Sequence, residues 1–67
     1  MVTSWWRGKR LQRLRRQRGL SQAALARKIK GHVMTISRLE RSAAAPSMRM
    51  LQRLAKALDV PITALLE

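Results

Sequence analysis

Apolar residues in this 67-residue chain recur at intervals of three and four rather than two, so the pattern predicts helices throughout. The clearest stretch runs from Gly19 to Ser47. Ser21 stands where a helix N-cap belongs, and Leu25, Ala26 and Ile29 follow on one face. Lys30-Gly31-His32 then interrupts that face, with Gly31 expected to supply the positive φ of a sharp turn. A second short helix is predicted from about Val33 to Arg41. Ile36, Leu39 and Glu40 share one side of it, and Met34, Thr35, Ser37 and Arg38 the other.

The same spacing gives three more helices. The first is expected from about Gly8, or from Ser4 if that residue caps it, to Arg18. Leu11 and Leu14 face inward there, while Arg7, Lys9, Arg10, Arg13, Arg16 and Arg18 are mostly solvent-facing, and Gly19 is placed to end the helix. Ser42 to Pro46 reads as a loop, because the residue before a proline is pushed out of helical geometry. Ser47 caps a fourth helix whose inward side is Met50 or Leu51, Leu54, Ala55 and Leu58. Asp59-Val60 turns the chain, and Pro61 opens a last short helix through Ile62, Leu65 and Leu66. The expected fold is therefore all-α, a compact five-helix bundle. Residues 8–67 form the domain and residues 1–7 an N-terminal arm or an extension of helix one. Trp5 and Trp6 do not fall on the Leu11/Leu14 face, and their expected role is to cover the core edge from a non-helical arm. Helices two and three, joined by so short a turn, make a helix-turn-helix unit, whose second helix is the element that enters the DNA major groove.

Composition narrows the chemistry. The chain has no Cys, which excludes disulfides and thiolate metal sites. No apolar run approaches the roughly 20 residues that span a bilayer, and the first ten residues lack the apolar stretch of a secretory signal. A cytoplasmic location is expected. Fifteen Lys and Arg face three acids, for a net charge of +12. Such self-repulsion points to a polyanionic partner, with nucleic acid ahead of an anionic membrane surface. Three acids and one His assemble no carboxylate pair, activated nucleophile, phosphate-binding glycine loop or metal cluster, so neither catalysis nor a cofactor is expected.

Gly19-Leu20-Ser21-Gln22, Leu25-Ala26, Ile36-Ser37-Arg38-Leu39-Glu40, Pro46-Ser47 and Leu54-Ala55-Lys56-Ala57-Leu58 together resemble the lambdoid-phage repressor and Cro type of helix-turn-helix domain. The pattern aligns without a gap from about Leu11 to Leu66. The resemblance implies a five-helix DNA-binding domain. Two positions depart from it. Turn positions that in the family usually hold Gly and then an apolar residue hold Lys30 and Gly31, which shifts the turn glycine by one. The loop position after the Glu-Arg pair, usually Gly, is Ser42, which puts that residue in a less comfortable backbone geometry or ends helix three differently.

Residue roles follow from placement and from the resemblance. Glu40, four past Ile36, points toward helix one, where Arg15 shares the inward side with Leu11 and Leu14. In the family such an Arg and Glu commonly form a partly buried salt bridge, expected here between Arg15 and Glu40 as an architectural pair. Val33, Met34, Thr35, Ser37 and Arg38 are the expected base readers. Arg38 suits guanine O6 and N7, Thr35 and Ser37 donate or accept, and Val33 or Met34 packs on a thymine methyl. Val33 and Met34 alternatively cover the core. Ser21 and Gln22 begin helix two, where a phosphate can meet side chains and free backbone N–H groups. The resemblance adds for Gln22 that it braces a recognition-helix side chain. His32 caps helix three or touches phosphate, and Arg13, Arg41, Arg49 and Arg53 flank the DNA backbone.

The expected function is sequence-specific binding of double-stranded DNA, with repression by occupancy. A homodimer through the C-terminal helix (Ile62, Leu65 and Leu66) is a further expected partner. With the chain ending at Glu67, no effector-binding domain and no small-molecule effector are expected. Three other readings stay open on sequence alone. One is an antitoxin-like interaction module with autoregulatory DNA binding. Another is a nonspecific polycationic binder of nucleic acid or membrane. The third is a designed DNA binder, since the chain is rich in Ala and Arg.

Overall fold

The computed structural model describes residues 5–66. It contains α1 (Gly8–Gln17), α2 (Gln22–Lys28), α3 (Val33–Glu40), α4 (Met48–Leu58) and α5 (Thr63–Leu66), with no strand among the described residues. Ser4 lies outside them. Trp5 to Arg7 approach α1 as non-helical chain, with Arg7 extended at the N-cap and making no side-chain cap bond.

Side-chain caps start two of the helices. Ser21 Oγ accepts from Ala24 N–H at 2.9 Å, and Ser47 Oγ accepts from Met50 N–H at 3.1 Å. His32 sits at the N-cap of α3, but its side chain makes no cap bond, so the capping half of its expected role is corrected. The last helix also begins later than expected. Pro61 and Ile62 precede it, their carbonyls accepting from Ala64 and Leu65 N–H at 3.0 and 2.9 Å.

All four longer helices end in one way. A left-handed residue follows the last turn, and two backbone N–H groups fold back on the helix carbonyls, five-to-two and six-to-one. Gly19 N–H donates to Arg16 O and Leu20 N–H to Arg15 O after α1, and Lys30 to Arg27 and Gly31 to Ala26 after α2. After α3 the pairs are Ser42 to Leu39 and Ala43 to Arg38, and after α4 they are Asp59 to Lys56 and Val60 to Ala55. Gly19 has φ 69°, but the other three left-handed residues are Lys30 (56°), Ser42 (58°) and Asp59 (56°). Gly31 was expected to carry the positive φ of the turn, and Lys30 carries it instead. The motif sets this by counting from the last helical bond, and Gly31 falls one position late. Ser42 does adopt the strained geometry that its place in the family pattern implies.

Trp6, Leu11, Leu25, Ala26, Ile29, Ile36, Leu39, Leu51, Leu54, Ala55, Leu58 and Leu65 form the core. Burying each Leu or Ile contributes about 1.5–3 kcal/mol. Leu51, not Met50, is the first buried residue of α4, and Leu14 is partly buried against the cluster. Trp6 closes the edge of this core from the arm, while Trp5 stays half-exposed and meets it edge-on, ring centroids 6.0 Å apart. Leu65 is sealed inside the protomer's own core. It is therefore removed from the dimer surface that sequence proposed, which retains exposed Leu66 and partly buried Ile62.

Candidate nucleic-acid interface

α3 packs on both α1 and α2, and its amphipathic sequence decides which side each sees. Ile36, Leu39 and Glu40 are buried. On the other side Val33 and Met34 are 47% and 63% exposed, Arg38 is exposed, and Thr35 and Ser37 are partly so. The structure thus gathers all five expected base readers on the solvent side of one helix. Val33 and Met34 lie outside the core, which settles the alternative left open for them. This surface offers apolar contact, two hydroxyls and one guanidinium.

Behind it lies a polar network that fixes the helix. Arg15 Nε donates to Glu40 Oε2 at 2.5 Å and Nη2 to Oε1 at 3.1 Å, a bidentate pair with both residues buried. Arg15 Nη1 donates to Leu20 O at 2.7 Å, and Gln22 Nε2 to Glu40 Oε1 at 3.0 Å. Three segments therefore meet at one carboxylate, α1, the start of α2 and the end of α3, and Arg15 ties the α1–α2 turn to them through the Leu20 carbonyl. Burial pushes the Glu40 carboxyl up, but hydrogen bonds from Arg15 and Gln22, the Arg15 charge and a bond with Gln12 outweigh it and hold the group below its ordinary range. The hydrogen bond with Glu40 raises Arg15, beyond what burial takes away. Gln22 therefore braces the α3 end through Glu40, with its amide turned inward.

A second set of contacts escaped the sequence reading. Gly8 is buried where α1 crosses the end of α3, and a Cβ there would collide with the backbone carbonyls of Leu39 and Glu40. Its N–H donates to Ser42 Oγ at 2.9 Å, and Trp6 Nε1–H donates to Leu39 O at 2.9 Å. These bonds satisfy end groups that a helix leaves unpaired. A glycine at the first helical position, where it weakens the helix, was the available signal.

The expected backbone-contact residues lie outside α3, on other elements or at its two ends. Ser21 is exposed at the start of α2, His32 is exposed at the start of α3, and Arg41 is exposed at its end. Arg13 is exposed on α1 and Arg49 on α4. Among the described residues no group of three or more His, Cys, Asp or Glu could hold a metal ion. No helix among them is long and apolar enough to cross a membrane.

An all-α bundle that presents the second helix of a short-turned pair defines a class, and the comparisons identify it. Residues 11–65 match the helix-turn-helix family HTH_3, and the chain belongs to that family. No curated protein sequence matches the chain. Among solved structures it is similar to SinR, a master regulator for biofilm formation, in complex with DNA. That likeness has 31% identity and a TM-score of 0.85, covering 90% of this chain and 97% of that one. It is also similar to the P22 c2 repressor in complex with a synthetic operator (33% identity, TM-score 0.84, covering 90% and 91%). The restriction-modification controller protein C.AhdI from Aeromonas hydrophila is a third (34% identity, TM-score 0.84, covering 87% and 88%).

Proposed function

We propose that the chain binds double-stranded DNA sequence-specifically through α3 in the major groove, and regulates transcription as a repressor by occupying its site. The observation that carries this reading is the solvent side of α3, where five side chains suited to base edges stand on a helix braced from behind by Arg15, Glu40 and Gln22. Membership of the helix-turn-helix family and likeness to DNA-bound SinR and the operator-bound P22 c2 repressor support it. Residues 8–67 act as one DNA-binding domain, and the arm through Trp6 closes its core. Arg38 reads guanine, Thr35 and Ser37 exchange hydrogen bonds with base edges, and Val33 and Met34 select thymine methyls. Ser21, His32, Arg13, Arg41 and Arg49 hold the phosphates, and Gln22, its side chain engaged by Glu40, offers only its backbone N–H at the start of α2. Regulation is by occupancy, without catalysis, in the cytoplasm, and a dimer on DNA would draw on Ile62 and Leu66.

The test is discrimination rather than affinity. After selection of a preferred duplex from random sequence, Arg38→Ala should reduce preference over a scrambled duplex by about 1–3 kcal/mol, and Thr35→Ala with Ser37→Ala should behave alike. Arg13→Ala should weaken both duplexes equally. A parallel loss on both duplexes for the α3 variants would show that α3 is not the reader.

A further inference from the structure

A cleft of about 380 Å³ opens between the C-terminal end of α2 and the outer side of α4. Lys28 and Lys30 line it from one helix end and Arg53 and Lys56 from the other helix, over Ile29 and Ala57. No lining residue is acidic. Among the described residues the only ion pair is Arg15–Glu40, so none offsets these four cations. Arg53 is oriented by donating from Nη1 to Ile29 O at 3.5 Å. Like charges gathered in one concavity repel, and an anion seated there removes the repulsion.

Lys30 makes the arrangement more pointed. It holds the left-handed conformation (φ 56°) at the end of α2, although glycine would adopt it with less strain. Lys30 also precedes Val33 by three residues, a chain span of at most about 11 Å. The Lys30 side of the cleft therefore stands beside the N-terminal end of the helix that is to enter the groove.

We infer that the cleft of Lys28, Lys30, Arg53 and Lys56 grips the phosphodiester backbone flanking the groove that α3 enters. It is an anchor that adds affinity without reading bases. The inference rests on the DNA-binding reading of α3 and adds a phosphate site that the recognition helix does not contain.

Salt titration of the full chain on the preferred and scrambled duplexes tests it. Lys28→Gln with Lys56→Gln should make the slope of log affinity against log salt shallower by about 1.8, and weaken both duplexes about 30-fold at 150 mM salt, with discrimination intact. Lys30→Gly should weaken both about 5-fold while raising the melting temperature, which separates lost contact from misfolding. Lys9→Gln with Arg16→Gln, an equal charge loss on the outer side of α1, should change the slope less than half as much. Equal slope changes for the two pairs, or none for Lys28 and Lys56, overturn the inference. Binding of inorganic tripolyphosphate that depends on Lys28 and Lys56, with the DNA slope unchanged, also overturns it and makes the cleft a free-anion site. Failure of the α3 reading shows differently, as absence of any preferred duplex for the unmodified chain.

Discussion

Glu40 is the residue on which the placement of α3 turns. Removing one partner of a buried pair leaves the other charge without compensation, so Glu40→Gln should cost about 3–5 kcal/mol, although it makes a DNA-binding protein more basic. Arg15→Met should cost a similar amount, and the double mutant less than the sum, as denaturant melts will show. Folding lowers the Glu40 carboxyl below its unfolded value. Its contribution is therefore fully present above the unfolded value of about 4.3 and is lost as pH falls through the folded one. Wild type should lose stability below about pH 4.3 more steeply than Glu40→Gln, and equal acid limbs would show the pair to be energetically silent. Gly8 is the other decisive position. Gly8→Ala drives a methyl into the Leu39 and Glu40 carbonyls, so α1 and α3 must part. A loss of about 2–3 kcal/mol is expected despite alanine's better helix propensity. A more stable Gly8→Ala protein would mean that α1 crosses α3 elsewhere.

At the scale of elements, the repeated helix ending makes a graded prediction. A non-glycine residue in the left-handed region is disfavoured by about 1–2 kcal/mol, from which glycine's greater unfolded freedom subtracts about 0.5–1. Lys30→Gly and Asp59→Gly should therefore stabilise by about 0.5–1 kcal/mol, or several degrees in a domain of this size. Ser42→Gly relieves the same strain but deletes the hydroxyl that accepts from Gly8 N–H. Its gain should vanish or reverse. The rank order in thermal melts checks this, and a Ser42→Gly protein more stable than Lys30→Gly would show the Gly8 bond to contribute nothing.

At the scale of the molecule, charge works in two directions. Fifteen cations against three acids repel one another in the free protein, while the buried Arg15–Glu40 pair is little screened. Raising salt from 50 to 200 mM should thus raise the melting temperature. Over the same range DNA affinity should fall by roughly 10³–10⁵ if six to ten phosphates are contacted. The recognition face carries just Arg38 as a cation, so most of this dependence belongs to residues around α3 rather than on it. A flat affinity titration would remove phosphate contact as the source of binding.

The pairing of Arg15 with Glu40 was implied by the family resemblance, while helix count and order, the serine caps, the buried sides of α2, α3 and α4, and the inward placement of those two residues were legible in the sequence alone. Each depends on periodicity and nearest-neighbour capping, which a linear chain displays directly. The assignment of Val33, Met34, Thr35, Ser37 and Arg38 to one surface was legible for the same reason. That Lys30 rather than Gly31 turns left-handed was a local matter that periodicity missed, since it depends on where the last bond of α2 falls; the rest was decided by the tertiary structure. It alone brought Ser42 Oγ to Gly8 across 34 residues and Trp6 Nε1 to the Leu39 carbonyl. It also singled out Glu40 as the α3 side chain that Gln22 braces, buried Leu65 in the core, and closed two lysines of the α2 end and two cations of α4 around one cleft. Those features depend on distances between segments far apart in sequence, and packing, not local propensity, sets such distances.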